Sequence, residues 1–242
     1  MTSISFLLSA LAVLVGSAVY GSLGFGFAFV VIPVLSRVDP TMLPPTLWLL
    51  GIPFAVALLR REPGHADVPR AAYITAGKLV GTPVGAALIT LVPKGRLDLV
   101  FAVALLAATG LTAIHREASP TARRMLLSAG LVSGVMGTAA ALGGPPLTLA
   151  LRGLSPQRFR ATLAVCFVVG DLMSLVAMWL FGNLQWRHLT FAAVLAPVMV
   201  GGYFLSSRII RRVDARHLRQ AVLTFAVVSS ILALVEGLRD ML

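Results

Sequence analysis

The chain has 242 residues, of which 58% are hydrophobic and only 12% are charged, and its mean hydropathy is +0.92. This composition excludes an ordinary soluble domain and is typical of a membrane protein. The net charge of +11 does not indicate a nucleic-acid partner, because the basic residues sit in short loops between apolar runs, where anionic lipid attracts them.

The first apolar stretch, residues 5–35, contains no charged residue and reads SFLLSALAVLVGSAVYGSLGFGFAFVVIPVL. A straight helix of that length would measure roughly 46 Å, against a hydrocarbon core of about 30 Å. It carries Gly21, Gly24 and Gly26, and then Pro33, all of which weaken a helix. We therefore predict two shorter helical pieces with a break between residues 21 and 26.

Three ordinary apolar runs follow in the first half, at about 42–59, 71–92 and 99–114. The polar linker 115–124 divides the chain into a first transmembrane repeat, 1–118, and a second, 119–242. The second repeat also begins with a long interrupted run, residues 125–151, whose break we place at 137–146, and three apolar runs follow at about 161–181, 189–206 and 220–238. The pattern predicts an all-α polytopic membrane protein with two four-segment repeats, the first segment of each being broken or re-entrant.

Loop charges favour the re-entrant arrangement. If all eight segments simply span, the arginines and lysines of the loops divide almost evenly between the two sides. If the two broken segments enter and return, most of them fall on one side, which the positive-inside rule makes cytoplasmic. The repeats are then inverted and both termini lie outside.

Broken helices place unpaired backbone N–H groups, and the positive end of a helix dipole, at membrane depth. Such groups favour small anions with several oxygens, although the same geometry can expose carbonyls to a cation. Glycine lets a ligand approach the backbone closely. The residues that we expect nearest the substrate are Gly24, Gly26, Gly137, Thr138, Gly143, Gly144 and Pro145.

Two charged residues lie inside apolar runs. Lys78 either contacts an anionic substrate or extends its ammonium to the headgroups. Asp171 has one of two roles. Either its carboxylate couples transport to protons or forms part of a gate, or it is a hydrogen-bonded structural acid. Arg160, at the start of the sixth run, either meets the anion at the cytoplasmic mouth or serves only as a topology charge. Trp48, Trp179 and Trp186 lie near segment ends, where interfacial positions are common.

Two glycine-rich segments, GSLGFGFAFVVIPVL and GVMGTAAALGGPPLTLAL, together with the sequence RAT at Arg160–Thr162, resemble the TauE/SafE family of membrane transporters. The resemblance covers nearly the whole chain and implies export or uptake of a small anion, typically sulfite, sulfoacetate or another organosulfur acid. Phe25, Phe27 and Phe29 replace part of the usual run of glycines and make the first half of the site more apolar.

We therefore expect a secondary transporter that moves sulfite, an organosulfonate or a similar small organic acid across a bacterial cytoplasmic membrane. The transport would proceed by alternating access, with one repeat rocking against the other, and would be coupled to protons. The expected partners are the anion and the lipid bilayer, with a homodimer left open. We expect no enzymatic activity, no cofactor and no metal. Transport of a cation, a metal ion or an amino acid stays an alternative.

Overall fold

The computed structural model describes residues 3–93, 96–113, 123–209 and 215–239. Within these ranges the chain is helical and has no strand, which confirms the all-α prediction. The repeat boundary predicted near residue 118 lies outside the described residues. The helices are α1 (Ser3–Leu23), α2 (Phe27–Val38), α3 (Pro45–Arg61), α4 (Val68–Leu91), α5 (Leu97–Ala113), α6 (Arg123–Ala140), α7 (Gly144–Ala150), α8 (Pro156–Leu180), α9 (Trp186–Ile209) and α10 (Ala215–Arg239), with a 3₁₀ turn at Pro40–Met42.

Helix lengths agree with a polytopic membrane protein. Among the described residues, four helices are long and apolar enough to cross a bilayer, namely α1, α4, α8 and most of α9. The shortest of them, α1, has 21 residues, which corresponds to about 31 Å. Apolar stretches in α2, α5 and α10 are shorter.

The first interruption forms a helical hairpin. α1 ends at Leu23 and α2 begins at Phe27. Gly24 and Gly26 between them have φ values of +81° and +106°, a left-handed conformation that glycine adopts without strain. α2 then packs back on α1, since a Cβ atom on Gly16 would lie 3.1 Å from the side chains of both Phe27 and Val31. The break is thus at residues 24–26, within the predicted interval.

The second interruption is shorter than the predicted interval 137–146. α6 continues through Gly137 to Ala140, and α7 begins at Gly144. The Ser133 hydroxyl donates to the Gly143 carbonyl at 2.7 Å, which holds the turn against α6. Pro145 and Pro146 belong to the first turn of α7, where proline is tolerated because a donor there has no partner within the helix.

Ion pairs on one side of the molecule define what we call the basic face. Arg160 pairs with Glu62, and Arg158 lies 3.1 Å from Asp67, so the end of α3 and the starts of α4 and α8 meet there. On the opposite face, the Asn183 amide donates to Thr90 at 2.9 Å and the His188 ring lies 3.1 Å from the Thr41 carbonyl. α4 and α8 therefore both run from the basic face to the opposite face.

The first helices of the two halves run in opposite directions. α1 is parallel to α9, because Gly202 lies against Ser17 and Ser206 lies against Gly21. α6 is parallel to α4, because Gly77 lies against Gly130 and Gly85 lies against Thr138. As α9 starts on the opposite face and α4 on the basic face, α1 and α6 enter from different sides. The opposite directions of α1 and α6 support the inverted repeat, which stays a prediction.

Helices α4 and α6 are in backbone contact. Gly77, Gly81 and Gly85 recur every four residues on one side of α4 and face Gly130 and Gly134 of α6. A Cβ atom at Gly81 would collide with the Leu131 carbonyl oxygen, and one at Gly130 with the Ile74 carbonyl oxygen. Small residues with this spacing let two membrane helices approach closely. The contact fixes Lys78, next to Gly77, relative to the second hairpin.

Candidate functional site

The turns of the two hairpins meet beside a cavity of about 60 Å³. A Cβ atom at Gly144 would lie 3.5 Å from the Cβ of Phe25, so the start of α7 touches the turn before α2. Helices α3, α4 and α8 complete the wall. The lining residues are Tyr20, Phe25–Phe29, Leu47, Trp48, Gly51, Lys78, Thr82, Ser133, Gly134, Gly137, Ala141–Pro145, Phe167, Gly170, Asp171 and Ser174.

Lys78 lies near the middle of α4, and its side chain points into this cavity. The residue is 3% exposed, so its ammonium does not extend to the headgroups. The ammonium lies 5.8 Å from the centroid of the Phe167 ring, within the range of a cation–π contact, and occupies the space that a side chain at residue 170 would need. No described residue forms a salt bridge with it. A buried cation of this kind calls for an anionic partner.

Asp171 brings a carboxylate to the same cavity from α8. A Cβ atom at Gly51 of α3 would lie 2.7 Å from its Oδ2, so the absence of a side chain at Gly51 makes room for the carboxylate. Asp171 and Lys78 do not form a direct salt bridge. The two charged groups therefore line the same cavity without direct contact between them.

Thr82 supplies a free hydroxyl. It is 3% exposed, it lines the cavity, and its Oγ1 has no hydrogen-bond partner. It lies four residues after Lys78, so both side chains project from one face of α4. Two other cavity hydroxyls are occupied: Ser133 donates to the Gly143 carbonyl, and Ser174 donates to the Gly170 carbonyl at 2.9 Å. The Tyr20 phenol also lines the cavity. Lys78 and Thr82 thus form a pair of available side-chain donors.

The first turn of α2 offers backbone donors. Its N-cap is Gly26, which has no side chain to cap the helix, and Phe27, Ala28 and Phe29 line the cavity. The first N–H groups of a helix have no partner within the helix and carry its partial positive charge. The start of α7 differs, because Pro145 and Pro146 have no N–H group.

Seven of the residues expected near the substrate, or in coupling and gating, line this cavity: Gly26, Lys78, Gly137, Gly143, Gly144, Pro145 and Asp171. Three others, Gly24, Thr138 and Arg160, do not line it. Thr138 lies behind the wall, with its hydroxyl 2.7 Å from that of Ser174. Arg160 pairs with Glu62, and its stem covers Gly24, where a Cβ atom would lie 2.9 Å from the Arg160 Cγ.

Sequence reasoning missed part of the wall. Trp48 does not lie at the membrane interface: it is 1% exposed, and its indole N–H donates to the Gly137 carbonyl at 3.0 Å. Trp179 and Trp186, at 67% and 81% exposure, fit the interfacial interpretation. Gly51 and Thr82 were also missed. The i, i+4 spacing of Lys78 and Thr82 was the one signal that could have identified Thr82.

Among the described residues, no three of His, Cys, Asp and Glu come together as metal ligands. A helical membrane protein with a cavity between two broken segments has an architecture that is common among membrane transporters. The family model described as Sulfite exporter TauE/SafE matches residues 8–233, and the chain belongs to this family. No curated protein and no solved structure matches the chain.

Proposed function

We propose that this transporter moves a small oxyanion, such as sulfite, an organosulfonate or a small organic acid, across the cytoplasmic membrane of a bacterium. The observation that carries the proposal is the Lys78 ammonium, which is buried in the cavity and forms no direct salt bridge with a described residue. Thr82 would donate a hydrogen bond to the same ligand. Family membership supports the anionic class.

The backbone would add to this recognition. The first turn of α2 is uncapped and lines the cavity, so its N–H groups and the helix dipole favour negative charge there. Gly26, Gly137, Gly143 and Gly144 would let the ligand approach the backbone, and Pro145 would fix the start of α7. Gly24 and Thr138 would act indirectly, by shaping the turn before α2 and holding Ser174.

Asp171 is our candidate for proton coupling. An ionised carboxylate in the cavity opposes a second negative charge, and protonation removes that opposition. Binding of the anion together with a proton would therefore be favoured over binding of the anion alone. Alternating access would expose the cavity first to one face and then to the other, with Arg160 and Glu62 closing the basic face. We also propose that the protein can form a homodimer.

An amino acid is the second candidate substrate. Lys78 and Asp171 both face the cavity without a direct salt bridge, so the cavity offers an opposite charge to each end of a zwitterion. A cation or metal ion has less support, because the Lys78 ammonium would repel it.

Transport by purified protein in liposomes tests the proposal. We expect Lys78→Met to abolish uptake of sulfite and of small sulfonates, whereas Arg187→Met, which removes an exposed positive charge on the opposite face, should leave uptake near the wild-type level. Asp171→Asn should retain anion binding but lose accumulation driven by a proton gradient. Unchanged uptake in Lys78→Met would overturn the anion site. If the wild-type protein binds glycine and Asp171→Asn does not, the result would favour an amino acid over a simple anion as the substrate.

A further inference from the structure

A second cavity, of about 120 Å³, lies at the opposite face of the molecule, and we call it the outer pocket. Its walls come from the turn before α3, the start of α3, the ends of α4 and α8, and the start of α9. The lining residues that matter here are Thr41, Pro45, Thr90, Met178, Asn183 and His188. The outer pocket is thus separate from the cavity at which the two hairpins meet.

The outer pocket lies beyond that cavity along two helices. On α8, Ser174 lines the cavity and Met178, one turn later, lines the outer pocket. On α3, Trp48 lines the cavity and Pro45, one turn earlier, lines the outer pocket. Residues three or four apart lie on the same side of a helix, so each helix presents one side to both spaces. The step along α8 is only about 6 Å, and the side chain of Met178 is unbranched and adaptable.

His188 holds the outer pocket closed to the opposite face. The residue is 2% exposed, and its Nδ1 accepts a hydrogen bond from the Gln185 N–H at 3.1 Å. The ring proton is therefore on Nε2, which donates to the Thr41 carbonyl at 3.1 Å. Asn183, in the same loop, donates to Thr90 at the end of α4. The loop between α8 and α9 is thus fastened to two elements of the first half.

The basic face has a contact of the same design. There the loop after α3 is bonded to the start of α8, through the Glu62–Arg160 ion pair and through the Asp67 N–H, which donates to the Thr162 hydroxyl at 2.9 Å. On the opposite face, the loop after α8 is bonded to the turn before α3. Each contact becomes the other when α3 and α8 exchange places, as an inverted repeat requires. Alternating access needs one closure on each face.

We infer that the outer pocket is the part of the transport pathway between the cavity and the opposite face, and that the hydrogen bonds of His188 to Thr41 and Gln185 form its gate. This inference rests on the proposed transport function and adds the second gate to it. Arg187 is exposed beside the outer pocket and takes no part in the gate.

Thiol labelling of the full-length protein tests the gate. Met178→Cys, made in a Cys166→Ala background, reports on access to the outer pocket. Met199→Cys is its matched control: both methionines are 4% exposed, but Met199 of α9 is not among the described residues that line the outer pocket. A small membrane-impermeant methanethiosulfonate is added to sealed vesicles from the side on which Arg96→Cys, an exposed position just before α5, reacts.

We expect His188→Ala to raise the labelling rate of Met178→Cys by at least about threefold, the effect of losing a hydrogen bond, and to leave the rate of Met199→Cys unchanged. His188→Gln, whose amide can still donate to the Thr41 carbonyl, should give a smaller increase. His65→Ala, in the loop at the basic face, should change neither rate.

The contrary results are equally definite. An unchanged rate of Met178→Cys in His188→Ala, or an equal rise of Met199→Cys, overturns the gate. Labelling of Met178→Cys from the basic face alone overturns the placement of the pathway. Labelling needs no substrate, so a gate found in this way together with anion uptake that Lys78→Met does not change would remove the proposed anion site and keep the gate.

A second measurement leaves His188 in place. A short, reducible thiol link between Thr41→Cys and Gln185→Cys, in the same background, joins the two segments that His188 bridges. We expect the link to stop sulfite flux into liposomes until it is reduced. Flux that continues through the linked protein overturns the gate.

Discussion

Two buried threonines in the same region differ in one respect, which makes them a matched pair. The Thr82 hydroxyl lines the cavity and has no partner, whereas the Thr138 hydroxyl is hydrogen-bonded to Ser174 behind the wall. A buried hydroxyl without a partner is costly to the folded state unless a ligand uses it. We therefore propose that Thr82 serves ligand binding and that Thr138 serves stability, and the pair allows the two roles to be compared.

We predict that Thr82→Val weakens binding of methanesulfonate by about tenfold, because a hydrogen bond to a charged group contributes about 1.5–3 kcal/mol. The free energy of unfolding should stay unchanged or rise slightly, because the substitution removes a buried hydroxyl that has no partner. Thr138→Val should instead lower the free energy of unfolding by about 1–3 kcal/mol, because it leaves Ser174 without this partner. Calorimetric titration and thermal unfolding in detergent measure the two effects. Equal effects of the two substitutions on affinity would contradict the assignment of Thr82.

At the scale of the element, the backbone contact between α4 and α6 is the most direct place to test how the helices pack. Gly81 has the Leu131 carbonyl where its Cβ would be, whereas a Cβ at Gly110 of α5 would meet no atom within 4 Å. Both glycines lie inside helices, so the same substitution changes helix propensity alike in both.

We predict that Gly81→Ala lowers the free energy of unfolding by about 3 kcal/mol or more, since neither backbone can yield and overpacking commonly costs 1–3 kcal/mol even between side chains. Gly110→Ala should raise it by about 0.5–1 kcal/mol, through the higher helix propensity of alanine. Thermal unfolding of both variants in the same detergent compares them. A Gly81→Ala protein as stable as the wild type would mean that the backbones of α4 and α6 are not in contact.

The elements were predictable from the sequence to the extent that local chemistry fixes them. Glycines that can adopt positive φ and prolines at a helix start mark the breaks, and uninterrupted apolar runs mark the other helices. The second break was drawn too long, because glycine in a membrane helix also serves close packing, as Gly137 does inside α6. The position of Trp48 was missed because distance from a segment end does not show which neighbour a side chain meets. Lys78 was ambiguous for the same reason: its environment depends on how α4 and α8 align.

At the scale of the whole molecule, two contacts between the halves lie on the basic face and are suited to a comparison. Arg160 of α8 pairs with Glu62 at the end of α3, and the Arg123 guanidinium of α6 lies 5.5 Å from the ring centroid of Tyr73 on α4. The first contact consists of charged side chains, and the Arg160 stem also covers Gly24 in the turn before α2. The second belongs to the glycine-lined contact of α4 and α6, which cannot open without separating two backbones.

We predict that cross-linking Glu62→Cys to Arg160→Cys with a short bifunctional thiol reagent stops transport, because the basic face can then no longer open. Cross-linking Tyr73→Cys to Arg123→Cys should leave transport intact. Both pairs are made in a Cys166→Ala background, which removes the chain's single native cysteine. Flux into liposomes before and after reduction of the link is the measurement. If the Tyr73–Arg123 link inhibits transport, or if the Glu62–Arg160 link does not, the proposal that the basic face opens between Glu62 and Arg160 is contradicted.

The stem of Arg160 rests on Gly24, in the turn just before the uncapped end of α2. Any displacement that takes Arg160 away from Glu62 therefore also releases the turn that positions the backbone donors of the proposed anion site. Affinity is then expected to fall as a direct result of opening toward the basic face, and unloading on that side would need no second trigger. A slower dissociation of methanesulfonate from the Glu62–Arg160 cross-linked protein than from the reduced protein would be the sign of this dependence.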